Sequence, residues 1–193
     1  MDGYLTAIDE LNVLWQASLQ TAGRNPERVC GDLERLLILA YREGFRDANN
    51  QLASQEKPSD ALMEAAVYAE IDRKNFEDRA REHLASGDVG RLQTLAESEW
   101  HRVYHAGMLD AATAHQQRTG QGVLKTWQTM LDDRVRDTHD YLESLSVPLD
   151  AEFYTFDGDH APAPGGFTRP ENNVNCRCSL RLTGEGTPKN AGS

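Results

Sequence analysis

The chain has 193 residues, 39% hydrophobic and 26% charged, a length that holds one good-sized domain or a small domain with a helical extension. Its 20 Lys and Arg against 31 Asp and Glu leave a formal net charge of −11, spread along both halves, which argues against a broad DNA-binding face because neutralising phosphate takes clustered Lys and Arg. No apolar run approaches the ~20 residues that span a bilayer, and the opening "MDGYLTAIDE" carries acids where a secretory leader carries bases, so a cytoplasmic origin without a membrane partner is expected.

The mean hydropathy of −0.64 suits long, partly exposed helices. Leu5, Ile8, Leu11, Leu14 and Trp15 recur at helical spacing. The break "GRNPER" supplies Asn25 as an N-cap and Pro26 as a first helical residue. The helix behind it carries Val29, Leu33, Leu36, Leu37, Ala40, Phe45, Ala48 and Leu52 on one face. After "SQEKPSD", with Ser59 or Asp60 as cap, a third helix is predicted through Leu62, Ala65, Ala66, Ala69, Phe76 and Ala80 to about Gly87. A fourth runs from about Val89 to Thr119 on Leu92, Leu95, Ala96, Val103, Ala106, Leu109 and Ala112, with Gly120 as its terminator.

Beyond Gly120 the segments shorten. "GVLKTWQTM" reads as a strand passing into a turn, "DDRVRDTHDYLESL" as a short polar helix and "FYTF" as β-prone. "HAPAPGGFTRPENN" is a stiff, broken loop, "NVNCRCSLRL" a last strand and "GEGTPKNAGS" a flexible tail. The expected class is α+β: a mostly α-helical N-terminal region over 1–88 and a small irregular α+β C-terminal domain over 89–183, with the tail over 184–193. The C-terminal domain is expected to fold alone around Trp127, Phe153, Tyr154 and Phe156.

Two of the three cysteines lie two residues apart. At period 2, Val174, Cys176, Cys178, Leu180 and Leu182 share one face, and Asn175, Arg177, Ser179 and Arg181 the other. Alternate strand residues lie roughly 6.6 Å apart with parallel Cβ vectors, poor geometry for a disulfide. The favoured reading is two small buried thiols without metal or other cofactor. The alternative is zinc on His139, Cys176 and Cys178, with His160, Asp132 and Asp133 as further donors, although no zinc spacing template fits them all. Arg136 and His139 share a helix face, with Asp132 one turn earlier, so a pinned carboxylate–guanidinium–imidazole network is expected. No catalytic residue is assigned, since there is no nucleophile elbow, phosphate loop or HExxH run; a metal-dependent hydrolase or nuclease on His139, Cys176 and Cys178 is the rival.

The ordered motifs Trp127, Asp132 or Asp133, Arg136 with His139, Val147 to Phe153, "PAPGG" and Asn175-Cys176-Arg177-Cys178 resemble the phage head morphogenesis family of Mu F-like minor head proteins. The preceding helix, with Glu99, looks like that family's acidic entry helix, and the resemblance covers about residues 90–183. It implies a minor capsid component of a tailed double-stranded DNA phage or prophage, located in the virion and assembled in the host cytoplasm. Implied partners are the portal or the major capsid protein; a role as a DNA-associated ejection protein is the other alternative, which the acidity makes doubtful. Within this frame the long N-terminal helices, which must bury their stripes against something, are the expected surface for partners or self-association.

Overall fold

The computed structural model describes residues 13, 15–17, 19–20 and 25–185. Most of the first helical stripe and the tail after Glu185 lie outside them. The cap signals start the long helices where expected. Asn25 accepts a hydrogen bond from the Arg28 amide and opens α1 (Pro26–Gln51). Ser59, Asn75 and Asp88 do the same for α2 (Asp60–Val67), α3 (Phe76–Ser86) and α4 (Val89–Thr119). Gly87 and Gly120, both left-handed, close α3 and α4. The third helix expected from periodicity is therefore two. The chain leaves α2 at Tyr68, turns through Asp72 and Arg73 at φ 54° and 67°, and restarts on the Asn75 cap, a side chain that competes with helix continuation.

The fold is α+β. In the C-terminal part, β1 (Val123–Gln128) is followed by the single-turn helix α5 (Asp137–Asp140), then by β2 (Ser146–Pro148), β3 (Phe153–Tyr154) and β4 (His160–Ala161). The single-turn helix α6 (Pro170–Asn173) and β5 (Ser179–Gly184) complete it. β1 is the centre of an antiparallel β2-β1-β5 sheet, with Trp127 opposite Leu180, while β3 and β4 pair separately. The last strand begins at Ser179, so the cysteines lie in its lead-in, yet the expected alternation of faces extends into that lead-in.

One hydrophobic core runs across residue 88. α1 crosses α4 at backbone contact: a Cβ added at Gly44 would overlap the Tyr104 carbonyl oxygen, and one at Gly107 that of Tyr41. Around this crossing Tyr41 donates to Asp110 at 2.7 Å and Tyr104 to Asp47. Buried Glu99 pairs with Arg79 of α3 and with Arg102, at 2.9 and 2.7 Å. The Leu182 amide donates to Gln51 at the end of α1. The aromatic core of the C-terminal part also differs from expectation. Trp127 and Phe153 are fully buried, but Tyr154 and Phe156 are 58% and 61% exposed, and Phe167 fills the space instead. Phe153 and Thr155 point inward, so Tyr154 and Phe156, at the alternate positions, point outward.

Gly107→Ala is expected to destabilise the chain by about 1–3 kcal/mol or more, because backbone cannot yield to overpacking as a side-chain tip can. Gly31→Ala, in α1 with nothing within 4 Å of the new Cβ, is expected to stabilise by up to ~1 kcal/mol; urea unfolding of the two variants checks the contrast. A fragment starting at residue 88 leaves α4 without α1 over Val103, Tyr104 and Met108. Circular dichroism and size exclusion are expected to show it aggregated or depleted of helix.

Candidate functional site

The sequence-predicted residues gather where the segment before β2 meets the lead-in to β5. Arg136 is the N-cap residue of α5, and His139, one turn into it, points inward at 1% exposure. Its Nδ1 lies 3.6 Å from Cys176 Sγ and 3.5 Å from Cys178 Sγ. The imidazole stacks on Phe167 at 5.2 Å between centroids and meets Trp127 edge-on at 5.5 Å. Phe167 is fixed in turn by Asn173, whose side chain exchanges two hydrogen bonds with its backbone. From the opposite side His101 of α4 donates through Nε2 to the Cys178 carbonyl at 2.8 Å. All three cysteines are free thiols.

The network is wired differently from the one expected. Asp132, Arg136 and His139 do not bond one another, because the helix that would align them begins only at Asp137. Instead each reaches across to residues 174–178. Arg177 forms a two-pronged pair with Asp132 at 2.8 and 2.7 Å, and Arg136 donates to the Val174 carbonyl. The Arg177 guanidinium holds the Asp132 carboxyl at about 2. Asn175, exposed and left-handed at φ 55°, makes the bend that lets the next residues face inward. Asp133 is exposed, outside the cluster. His160 pairs with Glu152 and is not part of the cluster. The hydrogen bond between the two thiols pulls Cys176 well below the ordinary thiol range and pushes Cys178 up.

Beside this cluster lies a cavity of about 550 Å³, lined in part by Cys176, His101, Trp100 and the cationic side chains of Arg134, Arg136 and Arg177. Two further polar residues escaped the sequence reading. Asp159, 1% exposed, accepts from His160 N, Thr168 N and Oγ1, Arg169 N and Asn172 Nδ2. Burial pushes its carboxyl up, but the donors from Thr168, Asn172, His160 and Arg169 outweigh this and hold it at about 2. Lys125, also 1% exposed, donates to the Pro162 carbonyl at 2.7 Å and lies over the Phe153 ring; burial lowers it to about 8. Its signal was present, since Val123, Lys125 and Trp127 share one face of a strand. That of Asp159, inside a proline-rich loop, was not.

The model of the family described as Phage Mu protein F like protein matches residues 55–181. Over 92 residues the chain is 32% identical to minor head protein GP7 of Bacillus phage SPP1, which covers 48% of this chain and 29% of that one. Over 123 residues it is 29% identical to NAD(+)--arginine ADP-ribosyltransferase EFV of Enterococcus faecalis, covering 61% of this chain and 23% of that one. It thus spans less than a third of the length of either curated relative. No solved structure matches the chain.

Asp159→Asn removes the charge that the surrounding donors face and is expected to cost about 1–3 kcal/mol at neutral pH. The folded-state carboxyls of Asp132 and Asp159, at about 2, lie below their ordinary 3.8. Their stabilisation is therefore complete above about pH 4 and lost as pH falls toward 2. Thermal melts from pH 7 to 2 are expected to show the wild type losing stability in that window and its gap to Asp159→Asn narrowing.

Proposed function

Because the chain belongs to the family of Phage Mu protein F like proteins, we propose that it is a minor structural head protein of a tailed double-stranded DNA phage or prophage. Its role is in capsid morphogenesis, through contact with portal or coat subunits. The observation that carries this reading is the family match over residues 55–181, from ahead of α2 into β5, supported by the similarity to a minor head protein. We place the chain in the virion, at the capsid interior or portal vertex, with the host cytoplasm as its place of assembly. Its acidity weighs against a primary DNA contact.

We assign it no catalytic role. Asp132, Arg136 and Asp159 are each spent on fixing backbone or a neighbouring side chain, which is what a scaffold of short irregular segments needs. The activity in the name of the enterococcal transferase belongs to that whole protein, of which this chain aligns with 23%. No helix among the described residues is long and apolar enough to cross a membrane.

The long N-terminal helices were the expected partner surface; among the described residues, α1 spends its apolar face on α4. Among the described residues the exposed large aromatics are Tyr141, Tyr154 and Phe156, all in the C-terminal part, with Tyr141 and Phe156 in edge-to-face contact. We place the subunit contact there. Co-expression of the full chain with the other head proteins of its own phage should yield particles containing it. Phe156→Glu should lower incorporation severalfold with an unchanged melting temperature. Particles that form without the wild-type chain in them overturn the structural role; equal incorporation of Phe156→Glu moves the contact elsewhere.

A further inference from the structure

We propose that His139, Cys176 and Cys178 form a zinc site, with Nδ1 and the two Sγ atoms as ligands. The three donor atoms lie within 4.8 Å of one another, although His139 comes 37 residues before the first cysteine. No zinc spacing template joins these residues in sequence, because the third donor arrives through tertiary structure. The inference does not depend on the head-protein role.

The near-equal spacing of the two sulfurs from one nitrogen favours an ion over a hydrogen bond. One imidazole nitrogen carries either one hydrogen or one lone pair, so it can serve one thiol well. Here it stands at nearly equal distance from two sulfurs, 3.6 and 3.5 Å. Bonds of about 2.3 Å to sulfur and about 2.1 Å to nitrogen, at a tetrahedral angle, place nitrogen about 3.6 Å from each sulfur. A single ion satisfies both spacings at once. The donor set is also selective, since two thiolates and an imidazole suit zinc and not magnesium or calcium. Two thiolates and a neutral imidazole cancel the charge of a divalent ion, which suits a buried position.

The surroundings hold the donors in place. Phe167 and Trp127 fix the imidazole plane, and the left-handed Asn175 turns the thiols inward. Arg177, between the two cysteines in sequence, faces away to Asp132. Arg136 ties the histidine's own segment to Val174. Both halves of the site are thus positioned by bonds that do not involve the ligand atoms, as a preorganised metal site requires. Cys176 also lines the 550 Å³ cavity, from which a water would complete the tetrahedron. The ion staples the segment before β2 to the lead-in of β5, where few strand ladders do so.

The test uses the full chain, purified under reducing conditions and incubated with zinc sulfate, then freed of excess metal. Mass spectrometry of the metal should find about one zinc per chain, kept in Cys30→Ser and bound at least tenfold more weakly in Cys178→Ser and His139→Ala. Cobalt(II) in place of zinc should give thiolate charge-transfer bands and the strong visible bands of a tetrahedral ion. Should a variant not fold, the wild type decides by itself: iodoacetamide should label Cys176 and Cys178 only after a chelator is added, with Cys30 unaffected by it. A wild-type chain that retains no zinc, a cobalt spectrum of the hydrated ion, or chelator-independent labelling overturns the proposal.

Discussion

The crossing of α1 over α4 is the constraint on which the rest of the molecule depends. Gly44 and Gly107 remove the side chains at the point of contact, so the helices meet backbone to backbone. The close approach brings Tyr41 within reach of Asp110 and Tyr104 within reach of Asp47. Dispersion and burial are strongest where atoms are closest, and a 26-residue helix with a charged outer face needs that contact to stay folded. With α1 seated, α4 becomes a rigid rod 31 residues long. Its His101 can then hold the carbonyl of Cys178, and its Glu99 the guanidiniums of Arg79 and Arg102.

The C-terminal part solves a different problem. Its sheet is three short strands, and much of its chain is loop. Few ladder bonds are available, so side chains take over their work. Asp159 gathers the amides of His160, Thr168 and Arg169 into one place. Arg177 and Asp132 close a long loop with two charge-assisted bonds. Asn173 grips the backbone of Phe167. Such a part holds a fixed shape through side-chain bonds where strand ladders are few.

How much of this was legible in the sequence depended on the range of the forces involved. Helix starts and stops are local: Asn25, Ser59 and Gly120 stood where their caps and terminator were read. Alternation placed Cys176, Cys178, Leu180 and Leu182 on the buried face correctly. The motif residues from Trp127 to Cys178 pointed to the family. Periodicity could not show that α2 and α3 are separate, because the stripe it followed ran through Leu62 and Ala65, which are exposed, whereas α2 buries Met63 and Val67 and the chain turns at two left-handed residues before α3.

Composition, helical periodicity and motif order by themselves determined the α+β class, the long helices, the buried thiols and the family, because each rests on interactions between residues near in sequence or on an ordered pattern. Tertiary structure alone decided the partners: that Asp132 serves Arg177 and not Arg136, that His139 meets both thiols, that Phe167 replaces Tyr154 and Phe156 in the core, and that one core crosses residue 88. Those pairings join positions tens of residues apart, and a side chain's choice among several chemically suitable neighbours is settled only when packing brings one of them within bonding distance.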